Sequence, residues 1–401
     1  MPRFEPFAGI RYATDDLAAV TAPPYDVIDA EERAALVAQH PHNVVLVDMP
    51  TDPEDSGGLG AYAGAAALFA RWRAEGVLVD DAPALYPYRM TFTDEAGTRR
   101  HTLGVLGALG IDAESRADVL PHEHTTPKAH SDRLELLRAT RANLSAIWGL
   151  SLTSGLTDLI DLDAAEPLGR WDDPDGVTHE LWRLDSPAAV KAVTDAVSSN
   201  PVVVADGHHR YSTCQIFAGE DGAPAGANAT LCLVVELDAE QLTVQPIHRL
   251  ISGLGADVDL AGALAVDFEI GELEPLPGPD VVARLVAERA LALVTPDGLR
   301  LLHPVDGPGP DGAEPHAVEP LDSVRVADAL DGLGAEVKYQ HGVGHAVAAV
   351  TGGRAQAAIL LRPVSVEQIR ATADARGLMP PKSTFFWPKP RTGTVFRSLE
   401  P

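Results

Sequence analysis

Cysteine is nearly missing from this chain: there are two in 401 residues, Cys214 and Cys232. No C-x-x-C spacing is present, which argues against a disulfide scaffold or a cysteine-built metal site and suits a reducing compartment. Positive charge is scarce too, with 31 Lys and Arg against 58 Asp and Glu and a formal net charge of -27. No Lys/Arg-rich block stands out, and proteins that track a DNA backbone draw most of their affinity from cations meeting phosphates. A small phosphorylated ligand needs only a local positive pocket and stays open. No apolar run approaches the ~20 residues that span a bilayer, and the start, "MPRFEPFAGIRY", has no apolar signal core. The expectation is a cytoplasmic protein with neither DNA nor a membrane as partner.

What is present is the composition of a folded protein, 45% apolar and 22% charged. The length predicts two or three compact units, and helical and strand patterns interleave throughout, so the expected class is mixed αβ (α+β). Three regions are expected: 1–110, an N-terminal αβ region; 111–240, which carries the chemistry; and 241–401, a C-terminal αβ region ending in the aromatic, basic, proline-rich tail "MPPKSTFFWPKPRTGTVF".

In the first region Pro23 and Pro24 stiffen an extended entry, and Asp29 is placed to cap a helix whose first turn holds Glu31 and Glu32. "NVVLVDM" then reads as a short strand, and a helix follows from about Leu59 to Ala74, stopped at Gly76. "ALYPYRMTF" and "TRRHTLGVLGALGI" read as strands joined by a hairpin turn at Gly97. The middle region reads as a helix carrying Leu134, Leu137 and Leu144 on one face, capped by Ser131 or Asp132, then a strand and a Gly/Asp-rich loop. In the third region, helices near 258–265, 279–290, 321–331 and 365–375 alternate with short strands, and "HPVDGPGPDGAEPHAVEP" reads as surface loop.

The sharpest feature is "PVVVADGHHRYSTCQIFA", from Pro201 to Ala218. An apolar strand runs into Asp206, Gly207, His208, His209 and Arg210, and a helix starts at once. A helix start leaves amides unpaired at the positive end of its dipole. Gly207 allows close approach of a ligand, Arg210 offers a bidentate fork to phosphate oxygens, and the histidines can donate to the same oxygens. Asp-Gly also serves strand-to-helix turns for geometry alone, and histidines also cap; five such residues in one turn favour a ligand site.

A second cluster, "PHEHTTPK", holds His122, Glu123, His124, Thr125, Thr126 and Lys128. Its carboxylate can serve as general base toward a hydroxyl. A metal site is the competing reading, but neither H-E-x-x-H nor a cysteine pair is present. Further candidates are Asp26 in "YDV", His248 and Arg249 in "PIHRL", the spaced pair His341 and His345, and the tail residues Lys382, Ser383, Thr384, Lys389 and Arg391, which could close over phosphates as a lid.

"APPYDVI", "LLRATRANLSAIWGL", "DGHHRY", "PIHRL" and "PKSTFFWPKPRTG" together resemble the family catalogued as domain of unknown function 1015, over nearly the whole chain. Within it, "VVVADGHHRY" resembles the phosphate-binding turn of the ParB/sulfiredoxin superfamily, and "PHEHT" resembles the Pro-His-Glu segment of its free serine kinases. The resemblance implies a ParB/sulfiredoxin-like core with N- and C-terminal additions. It also implies ATP or ADP with Mg²⁺ as cofactor and free L-serine as the first candidate among small hydroxyl substrates. Glu123 and Asp206 would be catalytic. Gly207, His208, His209, Arg210, Thr125 and Lys128 would hold phosphate, and His122, His124 and Tyr211 would contact substrate.

Sulfiredoxins carry a cysteine just after the glycine of the turn, where this chain has His208, so sulfinic-acid reduction is set aside. The acidic balance sets aside chromosome partitioning. The expected function is a nucleotide-dependent phosphotransferase. The alternatives are a non-catalytic nucleotide-binding ParB-like module and, behind it, a metal-dependent hydrolase. A segment around Ser154 to Gly176 separates the two motifs, so the sequence leaves open whether Glu123 and Asp206 share one pocket.

Overall fold

The run Val202–Asp206 is almost all β-branched and buried from end to end, as a strand inside a sheet requires. In the computed structural model it pairs on both sides. The description covers every residue except 52–59, 95–96, 124–129, 256–257, 279, 306–319 and 401, and omits the side chains of His130 and Ser131. His124, Thr125, Lys128 and most of the expected surface loop lie outside the described residues.

The protein is mixed αβ and divides into two compact units. The first comprises Met1–Thr93, Arg99–Leu242 and Pro388–Pro401; the second comprises Asp94–Thr98 and Thr243–Trp387. The first unit therefore draws on all three of the expected regions, because the end of the tail belongs to it.

A nine-stranded sheet organises the first unit. Its order runs Val119–Pro121, Val202–Asp206, Ile147–Ser151, Ala229–Glu236, Arg99–Gly110, Tyr86–Thr93, Thr178–Arg183 and Glu166–Asp172, with Phe4–Glu5 paired to Arg99–Gly110. Helices His130–Thr140, Pro187–Val197 and His208–Ala218 bury Leu134, Leu137, Val193, Val197, Cys214 and Phe217 in one core with Ile147, Val202, Val204 and Val234 of the sheet. A smaller sheet brings the chain's two ends together, pairing Gly9–Tyr12 with Phe396–Ser398.

The second unit is a six-stranded antiparallel sheet in the order Phe268–Ile270, Gly298–Pro304, Leu291–Thr295, Ala357–Leu360, Ile247–Ser252, Glu336–His341. Alternate residues of a strand face opposite sides. Ala292 and Val294 enter a core with helices Val281–Glu288 and Val343–Thr351, and Leu291 and Leu293 enter another with helices Leu260–Leu264 and Asp322–Leu330.

The helix boundaries follow the expected chemistry. Asp29 accepts hydrogen bonds from the Glu31 and Glu32 amides at 2.9 Å, opening helix Ala30–Gln39. Gly97 and Gly76 take the positive φ expected of turn and stop residues. Three expectations are corrected. "NVVLVDM" is no strand: Val45–Asp48 is a short helix, because Asn43 accepts from the Val45 amide and donates to the carbonyls of Ala19 and Thr21, turning the chain inward. The Gly/Asp-rich segment holds the edge strand Glu166–Asp172, paired antiparallel with Thr178–Arg183. Helix His130–Thr140 begins at or before the caps expected for it, so Asp132 lies in its first turn, and Leu144 falls beyond its end. Among the described residues no helix is long and apolar enough to cross a membrane.

Candidate functional site

The strand-turn-helix forms as its residues dictate. Val202–Asp206 ends at Gly207, whose φ of 86° is left-handed, and helix His208–Ala218 starts on the next residue. An L side chain in that conformation costs about 1–2 kcal/mol. A Cβ on Gly207 would also lie 3.0 Å from the Arg210 guanidinium, which folds back over the turn. Arg210 donates to Asp206 Oδ2 at 2.8 Å, to Ser145 Oγ at 3.2 Å and to the Ala146 carbonyl.

The second motif arrives beside the first. Val119–Pro121 pairs in parallel with Val202–Val204, Pro121 opposite Val204, so both chains emerge at the same end of adjacent strands. The His122 imidazole lies 2.6 Å from the Val204 carbonyl, a contact that spans 82 positions of sequence. A carbonyl only accepts, so His122 carries its proton on Nδ1. Burial lowers its pKa to about 4, leaving a neutral brace rather than an acid. The His122 ring is 4.9 Å from the His208 ring, and Glu123 is largely buried with Oε2 3.8 Å from His122 Nε2.

A cation that the sequence offered only as part of a lid meets Asp206. Lys389 Nζ donates to Asp206 Oδ1 at 2.5 Å and stands 3.6 Å from Asp26 Oδ2. Burial opposes ionisation of Asp206, but Lys389 and Arg210 outweigh it and hold its carboxyl at about 2. Burial likewise opposes the charge on Lys389, yet Asp206 and Asp26 raise its pKa. Both Asp206 oxygens thus meet protein cations, and Lys389 stands between the two carboxylates. That donor set does not fit a divalent ion held by the protein.

Beside this cluster the Tyr25 ring covers the Arg133 guanidinium at 4.3 Å, and Arg133 donates to the buried Asp48 at 3.2 Å. Burial pushes the Asp48 carboxyl above its ordinary range, against the pull of Arg133. Arg210, Arg133, Asp48 and Ser145 share the lining of one small cavity with Thr213 and Cys214.

Other sequence candidates go elsewhere. Tyr211 packs in the first unit's core, and burial pushes its phenol up to about 12. The residues expected to form a lid are shared between the two units. Arg391 is buried, donating to the Thr21 carbonyl at 3.1 Å, while Ser383 and Thr384 are buried in the second unit. Lys382, exposed and at a φ of 59°, offers its carbonyl to Arg249. In the second unit, burial lowers the His248 pKa to about 3 and its Nδ1 accepts from the Leu361 amide. His341 lies 2.5 Å from Gln245 Oε1. Sequence reasoning did not join Asp26 to Lys389; no local pattern links residues at opposite ends of a chain.

The family model described as protein of unknown function (DUF1015) matches residues 4–332. The chain belongs to that family. No curated protein matches it. Among solved structures, it is similar to a conserved hypothetical protein from Pyrococcus furiosus, at 13% identity and a TM-score of 0.39 over 74% of this chain and 95% of that one. A free serine kinase variant in complex with AMP matches at 12% identity and a TM-score of 0.39, over 71% of this chain and 86% of that one. A variant in complex with ADP matches at 13% and 0.37, over 71% and 87%.

Proposed function

We propose that the protein is a nucleotide-dependent phosphotransferase acting on a small hydroxyl compound, with free L-serine the first candidate and a ParB/sulfiredoxin-like core as its scaffold. One observation carries this reading: the parallel pairing of Val119–Pro121 with Val202–Val204, which puts the Glu123 and Asp206 motifs at one end of neighbouring strands. Ligands of αβ sheets favour the carboxyl ends of strands.

In this reading the amides after Gly207 and the Arg210 guanidinium bind nucleotide phosphate, and His208 and His209 flank it. The substrate hydroxyl oxygen attacks the terminal phosphorus, the bond from that phosphorus to the nucleotide oxygen breaks, and the hydroxyl proton passes to Glu123. His122 keeps the backbone before Glu123 on the strand by its bond to Val204. Asp206 orients the cations, and magnesium would be held by the nucleotide phosphates, where it would offset their charge. The nucleotide pool and the two free thiols, Cys214 and Cys232, suit the cytoplasm.

The test is to incubate the protein with ATP or ADP, Mg²⁺ and L-serine and to assay phosphoserine. Glu123→Gln should abolish turnover and leave nucleotide affinity nearly intact; equal loss of both overturns the role given to Glu123. A non-catalytic nucleotide-binding module is the second reading. It is favoured by the three partners that already hold Arg210, a brace that a static binding site would use. Tight nucleotide binding with no transfer to a panel of hydroxy compounds would decide for it.

A further inference from the structure

We infer that Lys389 is a phosphate-binding cation delivered to the site by the C-terminal tail, and that nucleotide phosphate takes the place of Asp26 beside it. The inference rests on the nucleotide-binding part of the reading above and gives a role to a residue outside both motifs.

Three observations support it. The first is how firmly the tail is placed. Lys389 lies between Pro388 and Pro390, whose rings fix φ and stiffen the backbone. Three residues later the tail is zipped to the start of "APPYD": the Ala22 amide donates to the Thr392 carbonyl at 3.1 Å, and the Thr392 amide donates to the Ala22 carbonyl at 2.8 Å. Arg391 adds its bond to the Thr21 carbonyl, and its amide donates to the Tyr88 hydroxyl at 3.3 Å. The lysine is therefore a fixed part of the first unit, not a mobile cover.

The second is the inequality of its two carboxylates. Asp206 is at hydrogen-bond distance and only 19% exposed, whereas Asp26 stands 3.6 Å away and is 46% exposed. Asp206 anchors the ammonium. Asp26 makes a loose, wet contact that an anion of higher charge can replace at little cost.

The third is charge balance. Asp26 and Asp206 carry two negative charges, and Lys389 and Arg210 carry two positive ones, so the cluster is neutral as it stands. Moving Asp26 aside leaves one net positive charge next to a helix start, and that favours phosphate. A lysine ammonium is a compact point charge well suited to phosphate oxygens.

Calorimetry of ADP with Mg²⁺, and of adenosine, on the full-length protein and on Lys389→Met and Asp26→Asn, tests the inference. Losing a charge-assisted contact predicts ADP binding roughly 10- to 100-fold weaker in Lys389→Met, with adenosine binding unchanged. Asp26→Asn, which removes the competing anion, should tighten ADP and again leave adenosine unchanged. A folded Lys389→Met that binds ADP like the parent, or an Asp26→Asn that binds it no better or more weakly, overturns the inference. Should Lys389→Met fail to fold, the Asp26→Asn result alone decides in the same way. A parent protein that does not bind ADP would instead sink the nucleotide reading itself, so the two failures are told apart.

Discussion

Two ion clusters in this molecule, one around an arginine and one around an aspartate, differ in setting. In the second unit Arg284 meets Glu274 at 2.5 and 2.9 Å and Glu288 at 2.8 Å, with all three side chains more than a third exposed. In the first unit Arg210 and Lys389 meet Asp206, all three below a fifth exposed. Water screens the first cluster and would solvate its members if they parted. The second gives up hydration and regains it only while every partner is in place. The buried charge lies at the end of two adjacent strands.

The sharpest way to break this comparison is Asp206→Ala. It removes the carboxylate that two mostly buried cations share and should destabilise the fold by about 3–5 kcal/mol, read as a lower midpoint in urea unfolding. A loss comparable to that of an exposed pair would remove the distinction between the clusters.

Acid titration sharpens it through the two buried histidines, one in each unit. His122 and His248 have folded pKa values of about 4 and about 3, below the ordinary 6.5. Below 6.5 the unfolded chain takes up protons that the folded chain refuses, so the stability they contribute is complete above about pH 6.5 and declines as pH falls toward 4 and 3. Asp206 adds a further loss from about 4 down to about 2, because its folded pKa lies below its ordinary 3.8. Urea midpoints measured from pH 7 to pH 5 should fall. His122→Gln and His248→Gln should each flatten part of that slope, and an unchanged slope in both would refute the assignment. The two rings differ in tautomer: His122 donates from Nδ1 to a carbonyl, while His248 accepts at Nδ1 from an amide.

Gly207→Ala should cost about 1–2 kcal/mol for the left-handed backbone alone, and it should also displace the Arg210 guanidinium and weaken nucleotide binding. The smallest effect is expected for Arg284→Ala, whose urea midpoint should stay close to that of the parent because its partners remain solvated.

Much of this was legible because it is local. Asp29 as a cap, Gly97 as a hairpin turn and the strand-turn-helix at Asp206–Gly207 each depend on residues within a few positions of one another, and backbone sterics and helix-end hydrogen bonding act over that range. The failures have the opposite character. "NVVLVDM" has the composition of a strand, yet Asn43 binds carbonyls some twenty positions earlier and coils the chain into a helix.

The sequence by itself determined the class, the Asp29 cap and the chemistry available at "DGHHRY" and "PHEH", since these follow from residue type and near neighbours. Only the tertiary structure decided that the two motifs lie side by side, through a parallel strand pairing that no local pattern encodes. It alone decided that Lys389 reaches Asp206 from 183 positions away. Which distant groups share one buried site depends on how strands order themselves in the sheet, and that order emerges only when the whole core packs.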